Sequence, residues 1–161
     1  MKYLLPLLCV VLLAACGRSG DAGPGKVPVV NGTLSFPQVT GFDLHRENVD
    51  GRLTWYDDAN RSWFFCRKLG EGESCGGDLK LCLQSGNIVT ARKRLDRLGN
   101  RSGTGELVDT IDSSGRYRRI VSFETPAGSD RYLIFGVCDR ADKTATITFY
   151  EAVVAKLTMT P

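Results

Sequence analysis

The chain has 161 residues, 21 lysines and arginines against 18 acidic residues, and a formal net charge of +3. A balance this close to neutral gives no argument for nucleic acid as a partner. The length is one domain's worth, and a single histidine excludes any centre built on several imidazoles.

Met1-Lys2-Tyr3 supplies one basic side chain, and Leu4 to Leu13 is apolar apart from Pro6. A short apolar run behind a basic start and ahead of small residues is the pattern of a secretory signal. It is shorter than the roughly 20 apolar residues that a membrane-spanning helix requires. Leu13-Ala14-Ala15-Cys16 closes the run and resembles the lipobox of bacterial lipoproteins. The resemblance implies that residues 1–15 are removed and that Cys16 carries lipid and becomes the N-terminus. Gly17 follows Cys16; the absence of aspartate there implies, by the family's sorting pattern, attachment to the periplasmic face of the outer membrane. Several acyl chains on one cysteine make such anchoring stable. Losing Lys2 with the signal lowers the net charge to +2.

Residues 16–28 combine the lipidated cysteine with a Gly/Pro-rich tether, and residues 29–161 form one periplasmic domain. Cys9 leaves with the signal, so Cys66, Cys75, Cys82 and Cys138 remain. An even number in an exported chain is read as two disulfides with three possible connectivities. Cys75–Cys82 as a local clip and Cys66–Cys138 between strands are favoured. Without a close C-x-x-C pair, zinc is not expected, and no cofactor is expected either.

In chain order, Leu34/Phe36 and Phe42/Leu44 alternate as short strands, and Arg52–Tyr56 and Ser62–Arg67 flank Asp57-Asp58-Ala59-Asn60 as a hairpin. Asp78–Gln84 is predicted as a short helix stopped by Ser85-Gly86. Asn87–Leu98 fits a helix face or a strand face, and strand is chosen. Gly99–Gly105 is predicted as a loop. Strands follow at Glu106–Asp112, Arg116–Glu124 and Arg131–Cys138, separated by Ser113-Ser114-Gly115 and by residues 125–130; the last is apolar on both faces and so central. A helix from about Asp142 to Leu157 is predicted on the stripe Ala145, Phe149, Ala152, Val153 and Leu157. The fold class expected is α+β, an antiparallel sheet of hairpin plus meander carrying one short helix and a C-terminal helix; the alternative is a nearly all-β sandwich or barrel.

Few motifs carry chemistry. Gly72-Glu73-Ser74-Cys75-Gly76 matches G-x-S-x-G, yet a nucleophile elbow needs a strand running straight into the serine and a later histidine. Arg67–Glu71 intervene, and His45 lies upstream. Gly20 to Lys26 spells G-x-x-x-x-G-K, but Val27 stands where a phosphate loop needs Ser or Thr. Asp57 and Asp58 share a hairpin tip, a solvated turn rather than the two unlike environments that paired acid–base carboxylates need. Arg92, Arg94 and Arg97, with Arg116 and Arg118, could form one basic face toward anionic lipid or an acidic protein. Trp55 and Trp63 are candidate hot-spot aromatics for the same purpose.

NGTLSFP, GRLTWYDDANRSWFFCRKLGEGE, DLKLCLQ and the run from Glu106 to Met159 together resemble the DcrB-like lipoproteins and the wider PsbP-like fold. That resemblance implies an antiparallel sheet with packed helices in a protein that binds rather than catalyses. The function expected is a non-catalytic, lipid-anchored periplasmic protein gripping one protein partner, most specifically an immunity lipoprotein that neutralises an antibacterial toxin. The alternatives are envelope maintenance through contact with lipid or cell wall, and a hydrolase centred on Ser74.

Overall fold

The structure is a computed structural model that describes Leu34, Phe36 and residues 42–46, 52–84 and 86–160. Cys16, the signal and the tether lie outside the described residues. Among the described residues seven strands form one antiparallel sheet: β1 (Asp43–Arg46), β2 (Leu53–Asp57), β3 (Ser62–Lys68), β4 (Ile88–Leu98), β5 (Arg101–Ile111), β6 (Tyr117–Ala127) and β7 (Asp130–Cys138). Helices α1 (Gly76–Leu83) and α2 (Lys143–Ala152) complete the α+β fold. Two meanders, β1-β2-β3 and β4-β5-β6-β7, meet where β7 pairs with β3, giving the order β1-β2-β3-β7-β6-β5-β4.

β7 explains that junction. Tyr132, Ile134 and Cys138 join the core on the face covered by α2, and Leu133, Phe135 and Val137 join the core beneath α1. A strand apolar on both faces must be covered on both, so it takes the centre. Gly136 fits there because a Cβ would stand 2.7 Å from the Cβ of Phe64 on the paired strand.

The β2–β3 tip is a single 3₁₀ turn over Asp58–Asn60, with Arg61 in the left-handed region. Asp57 is not left to solvent: its carboxylate accepts from Asn60 and pairs with Arg140 at 2.9 Å. Between β5 and β6, the Asp112 carboxylate accepts the Ser114 hydroxyl and the backbone N–H groups of Ser114 and Arg116. Those bonds lower its pKa to about 2. A depressed folded-state value means its stabilising effect is present above the usual carboxylate range and is lost as pH falls from about 4 towards 2. A side-chain NMR titration of Asp112 is expected to give a midpoint well below that of ordinary aspartates; a midpoint near 4 would remove the turn's role in acid stability.

Three expectations about the chain path are corrected. Gly99–Gly105 is no loop: only Gly99 and Asn100 turn, and β5 begins at Arg101. Its glycines are strand glycines where another backbone comes close; a Cβ at Gly103 would lie 2.0 Å from the Glu124 carbonyl oxygen, and one at Gly105 2.2 Å from that of Ser122. Residues 125–127 likewise extend β6, leaving Gly128-Ser129 as the turn, and Pro126 is tolerated because β5 pairing ends at Glu124. The predicted C-terminal helix ends at Ala152, and a 3₁₀ turn over Val154–Lys156 follows. Asp142 caps α2, accepting from the Ala145 N–H at 2.8 Å. The buried stripe is Thr146, Tyr150, Val154 and Leu157, while Ala152 is exposed.

The disulfide expectation is also corrected: Cys66, Cys75, Cys82 and Cys138 are thiols. Cys66 faces Ile134 across the β3–β7 pair, so Cys138 lies four residues further along, about 13 Å away at ~3.3 Å per residue. Cys75 caps α1 and Cys82 lies within it, roughly 10 Å apart along the helix axis. Neither pair meets the Cα separation of under about 7 Å that a disulfide requires. The other connectivities would have to cross the sheet, because Cys66 and Cys138 pack on the α2 side and Cys75 and Cys82 on the α1 side. Unfolded without reductant, all four are expected to react with a thiol reagent. In the folded chain Cys66 and Cys138 should be slow, since burial pushes the Cys138 thiol up to about 12 and Cys66 higher still. Recovery of only two reactive thiols on unfolding would restore a disulfide.

Candidate interaction surface

The residues singled out for binding separate into three groups. Trp55 belongs to the core: it is 1 % exposed, stacked on Phe64 with centroids 4.6 Å apart and planes 9° apart, and tilted against Phe36 at 4.9 Å. Trp63, on the opposite face of the hairpin, is half-buried in a row with Phe65 and Phe135. The two tryptophans therefore do not share a surface.

Arg116 and Arg118 do not extend a free basic face. Asp139 directly follows β7 with no solvent exposure, and its carboxylate accepts from Arg116 Nε and, at 3.2 Å, from Arg118 Nε. Arg118 also pairs with Asp112 at 3.0 Å. Beside them the Ser62 hydroxyl donates to the Asp139 carbonyl at 2.7 Å and accepts the Asp139 N–H at 2.9 Å. Arg140 donates to the same hydroxyl and stacks on Phe149 at 3.4 Å. On the other face, Arg119 makes two hydrogen bonds to Asp109, of 2.8 and 3.0 Å. These cations close the sheet by matching carboxylates contributed from elsewhere in the chain.

The first basic run behaves differently. β4 is an outer strand of the sheet, and every residue from Ile88 to Arg94 is exposed. Ile88 and Val89, 67 % and 39 % exposed, put apolar surface at its start, and Leu81 of α1 is 69 % exposed. Two irregularities interrupt its pairing with β5, between Val89 and Ala91 and between Leu95 and Arg97. The second decides the face. Arg92 and Arg94 stand opposite Val108 and Glu106, on the α1 side of the sheet. Strict alternation would put Asp96 next in that row, but at the second irregularity Gly103 and Thr104 of β5 stand against Asp96 alone, and Arg97 aligns with Ser102. Leu98 packs in the core on the α2 side, so Arg97 beside it turns to the α1 side with Arg92 and Arg94, while Lys93 and Leu95 take the other face.

Arg92 pairs with Glu106 at 3.1 Å, while Lys93, Arg94 and Arg97 make no ion pair among the described residues. A hollow of about 400 Å³ adjoins the row, lined by Arg92, Lys93, Arg94, Thr104, Glu106 and Cys75. Burial, aided by Glu106 and Glu124, raises the Cys75 pKa, which keeps that thiol protonated. The surface is thus a cationic ledge along a backbone edge, with room beside it for incoming side chains. Sequence reading found its arginines; nothing in the sequence marked the bulge that aligns them or the glutamate that flanks them.

Ser74 and His45 are not brought together. Ser74 precedes α1, whose Cys75 carbonyl accepts the Ser122 hydroxyl of β6. β1, which carries His45, lies four strand spacings from β6, about 19 Å at ~4.8 Å each. A serine–histidine pair needs contact within about 3.2 Å, so the Ser74 hydrolase reading loses its base.

No family model matches the chain, and no curated protein matches it. Among solved structures the chain is similar to LpqN of Mycobacterium tuberculosis, described as involved in cell envelope biogenesis, with 17% identity, a TM-score of 0.49, and coverage of 84% of this chain and 91% of that one.

Proposed function

We propose that the protein is a non-catalytic, lipid-anchored binding protein of the bacterial envelope that grips a protein partner through β4. The observation that carries this reading is the alignment of Arg92, Arg94 and Arg97 on one face of an exposed outer strand. Charged groups arranged this way steer encounter and select partners of opposite charge. The Leu-Ala-Ala-Cys16 lipobox followed by Gly17 supports placement at the periplasmic face of the outer membrane, and the DcrB-like resemblance supports a role in the envelope. An inhibitor that neutralises a toxin entering the periplasm is the most specific form of the reading, since inhibition requires a stable surface rather than reactive groups.

The test is crosslinking of the full chain in its own host envelope, with an Arg94→Glu/Arg97→Glu variant alongside. One stoichiometric protein is expected with the natural chain, reduced at least about tenfold in the variant. Cys16→Ser is expected to release the protein from the membrane fraction and remove lipid labelling. Capture of only lipid, wall fragments or nothing would replace the proposal with envelope maintenance.

A further inference from the structure

We propose that the partner's docking element is an extended acidic segment that adds to the outer edge of β4 as a further strand. This rests on the binding reading above and deepens it. Between the two bulges, Ala91 to Leu95 pairs one-to-one with Asp109 to Gly105. That stretch has regular strand geometry, and its outer edge carries the N–H and C=O groups that β5 does not take; among the described residues no strand pairs with it. Added strands use such groups for affinity and alternate side chains for specificity.

The side chains select what can be added. A neighbouring strand would place its side chains about 5 Å from those of Arg92 and Arg94 on the α1 side. Carboxylates at alternate positions of that strand would meet the guanidiniums in charge-assisted, bidentate geometry. The bulge extends the row to Arg97, and the hollow of about 400 Å³ receives side chains reaching past the edge. On the other face, Ala91 and the buried Leu95 flank Lys93, which accommodates apolar residues between the acidic ones. A second copy of this chain is a poor occupant, because antiparallel pairing of β4 with itself would oppose Arg92, Lys93 and Arg94 to like charges. Such cations are also a common defence of an edge against self-association; here they reject a copy and accept an acidic strand. A bilayer surface can neither satisfy a row of backbone groups nor enter the hollow.

The experiment is amide hydrogen exchange by NMR on the full chain in detergent at neutral pH, with the alternating peptide (Glu-Val)5 and its (Lys-Val)5 counterpart as probes. Outward-facing amides between residues 91 and 95 are expected to slow at least about tenfold with the acidic peptide and to be unchanged by the basic one. An Arg92→Glu/Arg94→Glu variant is expected to reverse that preference, which also shows that it folds. No protection, equal protection by both peptides, protection by phosphatidylglycerol vesicles alone, or protection rising with the chain's own concentration would each overturn the added strand. If the native partner crosslinks and is lost in Arg94→Glu/Arg97→Glu while (Glu-Val)5 protects nothing, the binding surface stands and the added strand falls. If no partner is captured at all, the binding reading itself falls.

Discussion

Replacing Asp139 with alanine is expected to lower the unfolding free energy by about 3 kcal/mol, seen as a fall in the urea midpoint with an unchanged slope. The carboxylate has no solvent exposure and accepts from two guanidiniums that converge from the start of β6. Removing one member of a buried ionic cluster leaves charge without compensation, which typically costs about 3–5 kcal/mol. The low end applies because Arg116 and Arg118 side chains are 33% and 27% exposed and recover part of their hydration. Asp139→Asn keeps the shape and one acceptor oxygen and is expected to lose about half as much. Neither variant touches the Ser62 clamp, which holds only the backbone of residue 139. A loss under about 1 kcal/mol for the alanine variant would show that the arginines are adequately solvated without it.

Trp55→Ala is expected to cost about 4 kcal/mol, the range for emptying a large aromatic site in a packed interior. The ring lies between Phe64 and Phe36 in the core under α2. Trp55→Phe should recover about half. Trp63→Ala is the informative contrast: that ring is half-buried over Phe65 and Phe135, so about 1–2 kcal/mol is expected. Equal losses at the two positions, measured by the same urea titration, would contradict the assignment of Trp55 alone to the core.

What could be read from the residues follows what is local. The hairpin around Asp57–Asn60, the two-faced apolar run of β7 and the start of the last helix at about Asp142 each declare themselves within a few positions. What could not be read depends on register between segments far apart. Whether Cys66 meets Cys138 turns on which residue of β7 faces Cys66, and that residue is Ile134. Whether Arg118 is free turns on Asp139, which only the β6–β7 pairing brings near. The glycines of Gly99–Gly105 look like loop composition because the carbonyls that exclude a Cβ belong to β6. Arg97 joins Arg92 and Arg94 through a bulge, which has no signature in composition or periodicity. The arginines of the interaction surface were therefore legible one by one, and their common face was not.

The junction of β3 with β7 has a kinetic consequence. During synthesis β1, β2 and β3 are made first, but the partner that completes the inner edge of β3 arrives only after β4, β5 and β6 have been made. Until then Phe64 and Phe65 have β2 on one side and no strand on the other. Closing so many intervening residues before the reward of β3–β7 pairing is the condition that slows β-rich folding to milliseconds or seconds. A newly made chain thus passes through an interval with an aromatic strand and an open edge exposed, the state in which a chaperone would find it.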